Sequence, residues 1–163
     1  MQAREARAQR GEAERSAGAA KAGPWYRDGL RFACTRCGHC CGGGPGTVLV
    51  SDAEISALAG AVDLAEAEFR VAFTRRLPRG AVSLRERSDG TCVLYDARRG
   101  CTVYAERPRQ CRTWPFWRSV VHSPERWAEE AESCPGIGRG PLHDAATIER
   151  TIREDGTSGA SPG

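Results

Sequence analysis

Cys34, Cys37, Cys40 and Cys41 fall within the eight residues CTRCGHCC, with spacing C-x2-C-x2-C-C. A C-x2-C knuckle lets two sulfurs converge on one ion while nearby backbone amides point at them. Three cysteines in that succession resemble the spacing that wraps iron–sulfur clusters, whereas zinc sites ordinarily use two knuckles far apart in sequence. Four more cysteines, Cys92, Cys101, Cys111 and Cys134, follow over about forty residues. Eight thiolates suffice for two four-cysteine sites or for one polynuclear site. Alternatively, four bind metal and the others pack or serve redox chemistry.

The adjacent pair needs its own account. Consecutive side chains of an extended segment point in opposite directions. Cys40 and Cys41 are therefore expected to face different ligands, one completing a site with Cys34 and Cys37, the other reaching the second group. Each cysteine of that second group stands beside a turn or a helix end, where amides are available to sulfur. Arg107 and Arg112 flank Cys111 and are candidates to offset thiolate charge or to hydrogen-bond the sulfurs. His39 lies inside the motif as a further candidate ligand or outer contact, although eight cysteines make it dispensable. His122 and His143 read as ordinary polar residues. Asp96 is a weaker candidate as an acceptor behind the site. Trp114, Phe116 and Trp117 of TWPFW read as an apolar lid or core around the metal region.

Other chemistries find no support. The glycine run GGGPG (42–46) suits close backbone approach but lacks the lysine and helix start of a phosphate loop. No Ser-His-Asp pattern or paired carboxylates can be read from the spacing.

These residues need a scaffold, and the chain of 163 residues is long enough for one domain with a modest core. Hydrophobic and charged fractions of 40% and 28% suit a globular protein, and a net charge of +3 is too small to argue for nucleic acid. Residues 1–23 are charged throughout and lack the apolar core of a signal peptide, and no apolar run reaches the roughly 20 residues of a spanning helix. The expectation is a cytoplasmic protein with no nucleic-acid or membrane partner, acting on an unidentified protein partner or substrate. In a reducing compartment cysteines are metal ligands or redox groups more often than disulfides.

The organisation expected is a disordered arm over 1–23, a cysteine-cluster domain over 24–153 and a flexible tail over 154–163. Its fold class is α+β, a small irregular single domain with short strands and several helices around the cysteine-bound metal. Residues 47–51 read as a short strand. Ser51 with Glu54 forms a capping box opening a helix to about Leu58, and Asp63 with Glu66 repeats it for a helix to about Leu77. Residues 81–87 and 91–97 read as a hairpin over the turn at 88–90, with 101–104 as a third strand. Short helices are expected at 107–111 and after Ser123-Pro124, and a last one over 142–153 with Ile148 and Ile152 inward.

Taken with their context, GTCVLYD, GCTVYAERPRQCRTWPF and the later SCPG, the cysteines resemble the YkgJ-type cysteine-cluster family, described as zinc- or iron-chelating and named for CxxCxxCC. The resemblance spans about residues 32–136 and includes all eight cysteines. Trp114 stands where relatives often carry phenylalanine or another apolar residue. The resemblance implies a bacterial metal-binding protein, with iron, as an iron–sulfur cluster or iron centre, or zinc as the cofactor. Some relatives are labelled iron–sulfur oxidoreductases, and flagellin lysine N-methylases look like larger relatives sharing the motif. A non-enzymatic zinc module that binds a protein partner is the alternative, and a metal carrier with labile thiols a third.

Overall fold

The computed structural model describes residues 23–42 and 46–155, so the expected N-terminal arm, the centre of the glycine run and most of the expected tail lie outside the described residues. The architecture of the described residues is α+β, with three two-stranded antiparallel sheets among short helices. No described helix is long and apolar enough to cross a membrane.

Two hydrophobic clusters organise the chain. The first is built by α2 (Asp52–Ala61) and α3 (Glu66–Phe73). In α2 the buried residues Ile55, Leu58 and Ala59 recur at the three- and four-residue spacing of one helix face. Ser51 caps it as expected: the Glu54 amide donates to Ser51 Oγ, and the Ser51 amide donates to Glu54 Oε2 at 2.9 Å. In α3 Phe69 is buried and stacks on Phe73 with centroids 4.8 Å apart. Leu84, Leu94 and Val103 close this cluster from the far side.

The second cluster joins Tyr26, Leu30, Phe116 and Val121 to Ile148 and Ile152 of α7 (Ala145–Glu154). The strand β1 (Leu30–Phe32) lies against β6 (Ile137–His143) in antiparallel register, Leu30 facing His143. This pairing is absent from the sequence expectation, because GIGRGPLH has little strand character. Its glycines have a local reason: a Cβ on Gly140 would collide with the Ala33 Cβ, and one on Gly136 with the Ala33 carbonyl oxygen. Two bare backbones are required where this segment crosses the residue before Cys34.

Several expected elements shift. The second helix is capped from Ala65, not Asp63, which sits at positive φ in the preceding turn. That helix stops at Phe73, and β2 (Thr74–Arg76) pairs with β3 (Val82–Leu84) in place of a continued helix. The segment 47–51 contributes one bridge, Leu49 to Ser83. The expected 81–97 hairpin keeps a bridge between Glu86 and Cys92, whereas β4 (Tyr95–Asp96) pairs with β5 (Gly100–Cys101). The alternating apolar residues at 91–97 imitate a strand, but Leu94 is drawn into the core while the chain around it turns. Short helices follow: α4 (Arg109–Thr113), α5 (Arg118–Val121), not expected, and α6 (Pro124–Ser133), capped by Ser123. Helix α7 starts three residues later than expected, with Asp144 as its cap, and Asp155 beyond it is buried.

Candidate metal centre

The eight cysteines come from five separate pieces of chain, each held by a specific contact. Cys34 follows Ala33, whose amide donates to the Gly136 carbonyl oxygen at 3.1 Å, so it starts beside the segment that follows Cys134. Cys37 precedes Gly38, which sits at φ +79° and whose missing side chain leaves room for the Tyr95 ring. Cys40 and Cys41 lie in the single helical turn α1 (His39–Gly42). The Cys92 amide donates to the Cys41 carbonyl oxygen at 2.7 Å, joining the two cysteine groups. Cys101 is held opposite Tyr95 in the β4–β5 pair, Cys111 sits within α4, and Cys134 caps the end of α6 through a bond from its amide to the Glu130 carbonyl oxygen.

All eight cysteines line one cavity, together with Leu84, Leu94 and Val103 of the first hydrophobic cluster and Phe32 beside the second. The cavity therefore lies between the two cores. All eight are free thiols, exposed at Cys34, Cys37 and Cys40 and buried at Cys134.

The expectation that Cys40 and Cys41 face apart is corrected. Their segment is a helical turn rather than extended chain, and their sulfurs lie 3.9 Å apart in the same cavity. The Cys41 thiol hydrogen-bonds to the sulfurs of both Cys101 and Cys40, which pushes its own pKa up. The same bonds are the largest cause of lowered values for Cys40, to about 7, and for Cys101, to about 6. Arg107 lowers both further, while partial burial opposes it. Burial pushes Cys92 up, and pushes Cys111 up to about 12 with help from the repulsion of Cys40, Cys92 and Cys101. Amides act on two of the four sulfurs for which they were expected: that of Leu94 lowers the Cys92 thiol and that of Val103 the Cys101 thiol.

Among the described residues no set of three or more His, Cys, Asp or Glu side chains stands at metal-binding geometry. The donor set nevertheless fits iron or zinc chemically, because soft thiolates select these metals and no competing carboxylate lines the cavity among the described residues.

The neighbours sort differently from expectation. Arg107 lines the cavity, while Arg112 does not: its Nη1 donates to the Arg107 carbonyl oxygen. His39 lines the cavity at the start of α1. Asp96 is corrected: its Oδ1 accepts the amides of Arg98 and Arg99 at 2.9 and 2.8 Å, fixing the β4–β5 turn instead of backing a sulfur. Trp114 lines the cavity as an apolar wall. Phe116 belongs to the second core, and Trp117 donates from its indole to the Gln110 carbonyl oxygen. His122 lies near the Ser119 carbonyl and His143 near that of Phe32, and neither lines the cavity itself. Sequence reasoning missed Arg36 and Tyr104. Both line the cavity, and the signal available was an arginine inside the cysteine run itself.

Fold and site together define a small cysteine-cluster domain whose thiols converge from across the chain. Residues 33–135 match the family model CxxCxxCC, described as "Putative zinc- or iron-chelating domain", and the chain belongs to that family. No solved structure matches the chain.

Proposed function

We propose that the eight cysteines act as one shared thiolate centre for iron, held as an iron–sulfur cluster or an iron site. The observation that carries this reading is the lining of a single cavity by every cysteine of the chain. The Cys40–Cys41 sulfur separation of 3.9 Å supports it. Two thiolates on one tetrahedral ion, each about 2.3 Å from the metal, stand about 3.8 Å apart. The three-knuckle spacing of Cys34, Cys37 and Cys40 favours iron over zinc.

Bound iron supplies one-electron chemistry, for electron transfer or for a group-transfer reaction. The chain's part is to gather and orient the sulfurs, to aim the Leu94 and Val103 amides at two of them, and to offset their charge with Arg107. Exposure of Cys34, Cys37 and Cys40 leaves one side of the centre open to a partner or substrate.

A zinc module is the second reading, favoured by the cavity's place between two separate hydrophobic clusters. Zinc there crosslinks two cores that are each small, a role typical of structural sites. X-ray absorption at the iron and zinc edges of protein purified without oxygen tests both readings. A sulfur-dominated shell around iron with short iron–iron scattering supports the first. A closed four-sulfur shell around zinc supports the second, and a shell of oxygen and nitrogen overturns both.

A further inference from the structure

We propose that Arg36, Tyr104 and Arg107 form a receptor for an oxyanion, a carboxylate or phosphate group, at the rim of the cysteine cavity. The guanidinium carbon of Arg36 lies 4.0 Å from the Tyr104 ring centroid, and that of Arg107 lies 3.6 Å from the same centroid. Two guanidiniums so close to one centroid cannot share a face without overlapping, so they flank the ring. All three residues line the cavity that holds the eight cysteines.

Stacking occupies the face of a guanidinium and leaves its edge donors for an anion in the plane. Arg107 spends its Nε on the Tyr104 carbonyl oxygen at 2.9 Å, which fixes the side chain and leaves both terminal nitrogens. Neither arginine takes part in an ion pair among the described residues, unlike Arg70, which is engaged by Asp52 and Glu66. No aspartate or glutamate lines the cavity among the described residues, so nothing there competes for the forks. Arg36 is exposed and stands at φ +57°, a conformation uncommon for a residue with a side chain, within the turn between Cys34 and Cys37. Its placement over a ring contributed by a distant loop is a specific arrangement rather than a solvated surface arginine.

Offsetting thiolate charge accounts for part of Arg107, which acts on Cys40, Cys101 and Cys111. It does not account for a second, exposed arginine on the same ring. An anion held by the Arg36 fork, with Arg107 adding positive charge from the other face of the ring, would sit beside the exposed cysteines, which assigns an anionic substrate or ligand to the centre. The inference rests on the metal reading only for what that ligand would lie next to.

The test is calorimetric titration of the full chain, as purified, with inorganic phosphate and separately with oxalate at low ionic strength. Metal content is measured on the same samples, so a failed metal reading and a failed receptor are told apart. The expected result is saturable one-to-one binding of at least one probe, weakened at least about tenfold in Arg36→Gln with metal content unchanged. Preference for oxalate assigns a carboxylate, preference for phosphate a phosphoryl group. Arg36→Lys, which keeps charge but loses the fork, replaces the glutamine variant if that one misfolds, with weakening of several-fold expected. Absence of saturation by both probes in the wild-type chain, or binding by the folded variant equal to wild type, overturns the proposal.

Discussion

The Cys92 amide donates to the Cys41 carbonyl oxygen at 2.7 Å, and this bond ties the first cysteine group to the loop that carries the second. Both cysteines line the cavity, and Cys92 packs against the edge of the first hydrophobic cluster. A metal bridging the two groups would hold that bond closed. Chelation is therefore expected to speed hydrogen exchange at the Cys92 amide by at least about tenfold, while amides of α2 change little. Exchange followed by mass spectrometry or NMR checks this, and equal rates with and without metal would count against a bridging role.

Gly38 lies against the Tyr95 ring, and a Cβ there would collide with the ring and its hydroxyl. It also occupies φ +79°, which costs a residue with a side chain about 1 kcal/mol or more. Gly38→Ala should lose at least that much stability and displace Cys37 relative to Cys40. Thermal unfolding and metal content should both fall. A variant that keeps wild-type metal content and midpoint contradicts the turn's role.

In the metal-free protein the sulfurs should differ in reactivity. Cys40 and Cys101 are lowered to about 7 and about 6, chiefly by the Cys41 thiol, while burial raises Cys111 to about 12. At neutral pH, brief alkylation should label Cys101 and Cys40 well before Cys111, as peptide mapping would reveal. The sign for stability follows from the lowered folded values. This contribution is present above the ordinary thiol range and is lost as pH falls through about 7 and then about 6. Metal-free protein that gains stability as pH falls across that interval would refute these lowered values.

Ser51→Ala removes the acceptor for the Glu54 amide at the start of α2. The expected cost is about 1 kcal/mol in chemical denaturation. Because α2 contributes no residue to the cavity, metal content should not change.

Legibility in the sequence followed the range of the determining interaction. The Ser51–Glu54 box and the Ser123 cap are decided within four residues, and both helices form where expected. Ile148 and Ile152 are buried as their spacing implied. Spacing left the partition of the eight cysteines open, because Cys92, Cys101, Cys111 and Cys134 reach the cavity of the first group only through the fold. What stayed hidden depends on partners far along the chain. The β1–β6 pairing rests on glycines chosen for close approach to Ala33, which leave no hydrophobic pattern. Cys40 and Cys41 face one cavity because Gly38 starts a helical turn, bonding its carbonyl to the Cys41 and Gly42 amides. Arg36 acquires its position only when Tyr104 folds beneath it.

The most direct test of the central claim is the metal-to-chain ratio of protein purified without oxygen, compared with Cys37→Ser and Cys111→Ser. These two residues lie in different cysteine groups and line the same cavity. Stoichiometric iron, or zinc under the second reading, is expected in the wild-type chain, with a marked loss in both variants. A folded wild-type chain without metal, or variants that both retain the full complement, would contradict a shared thiolate centre.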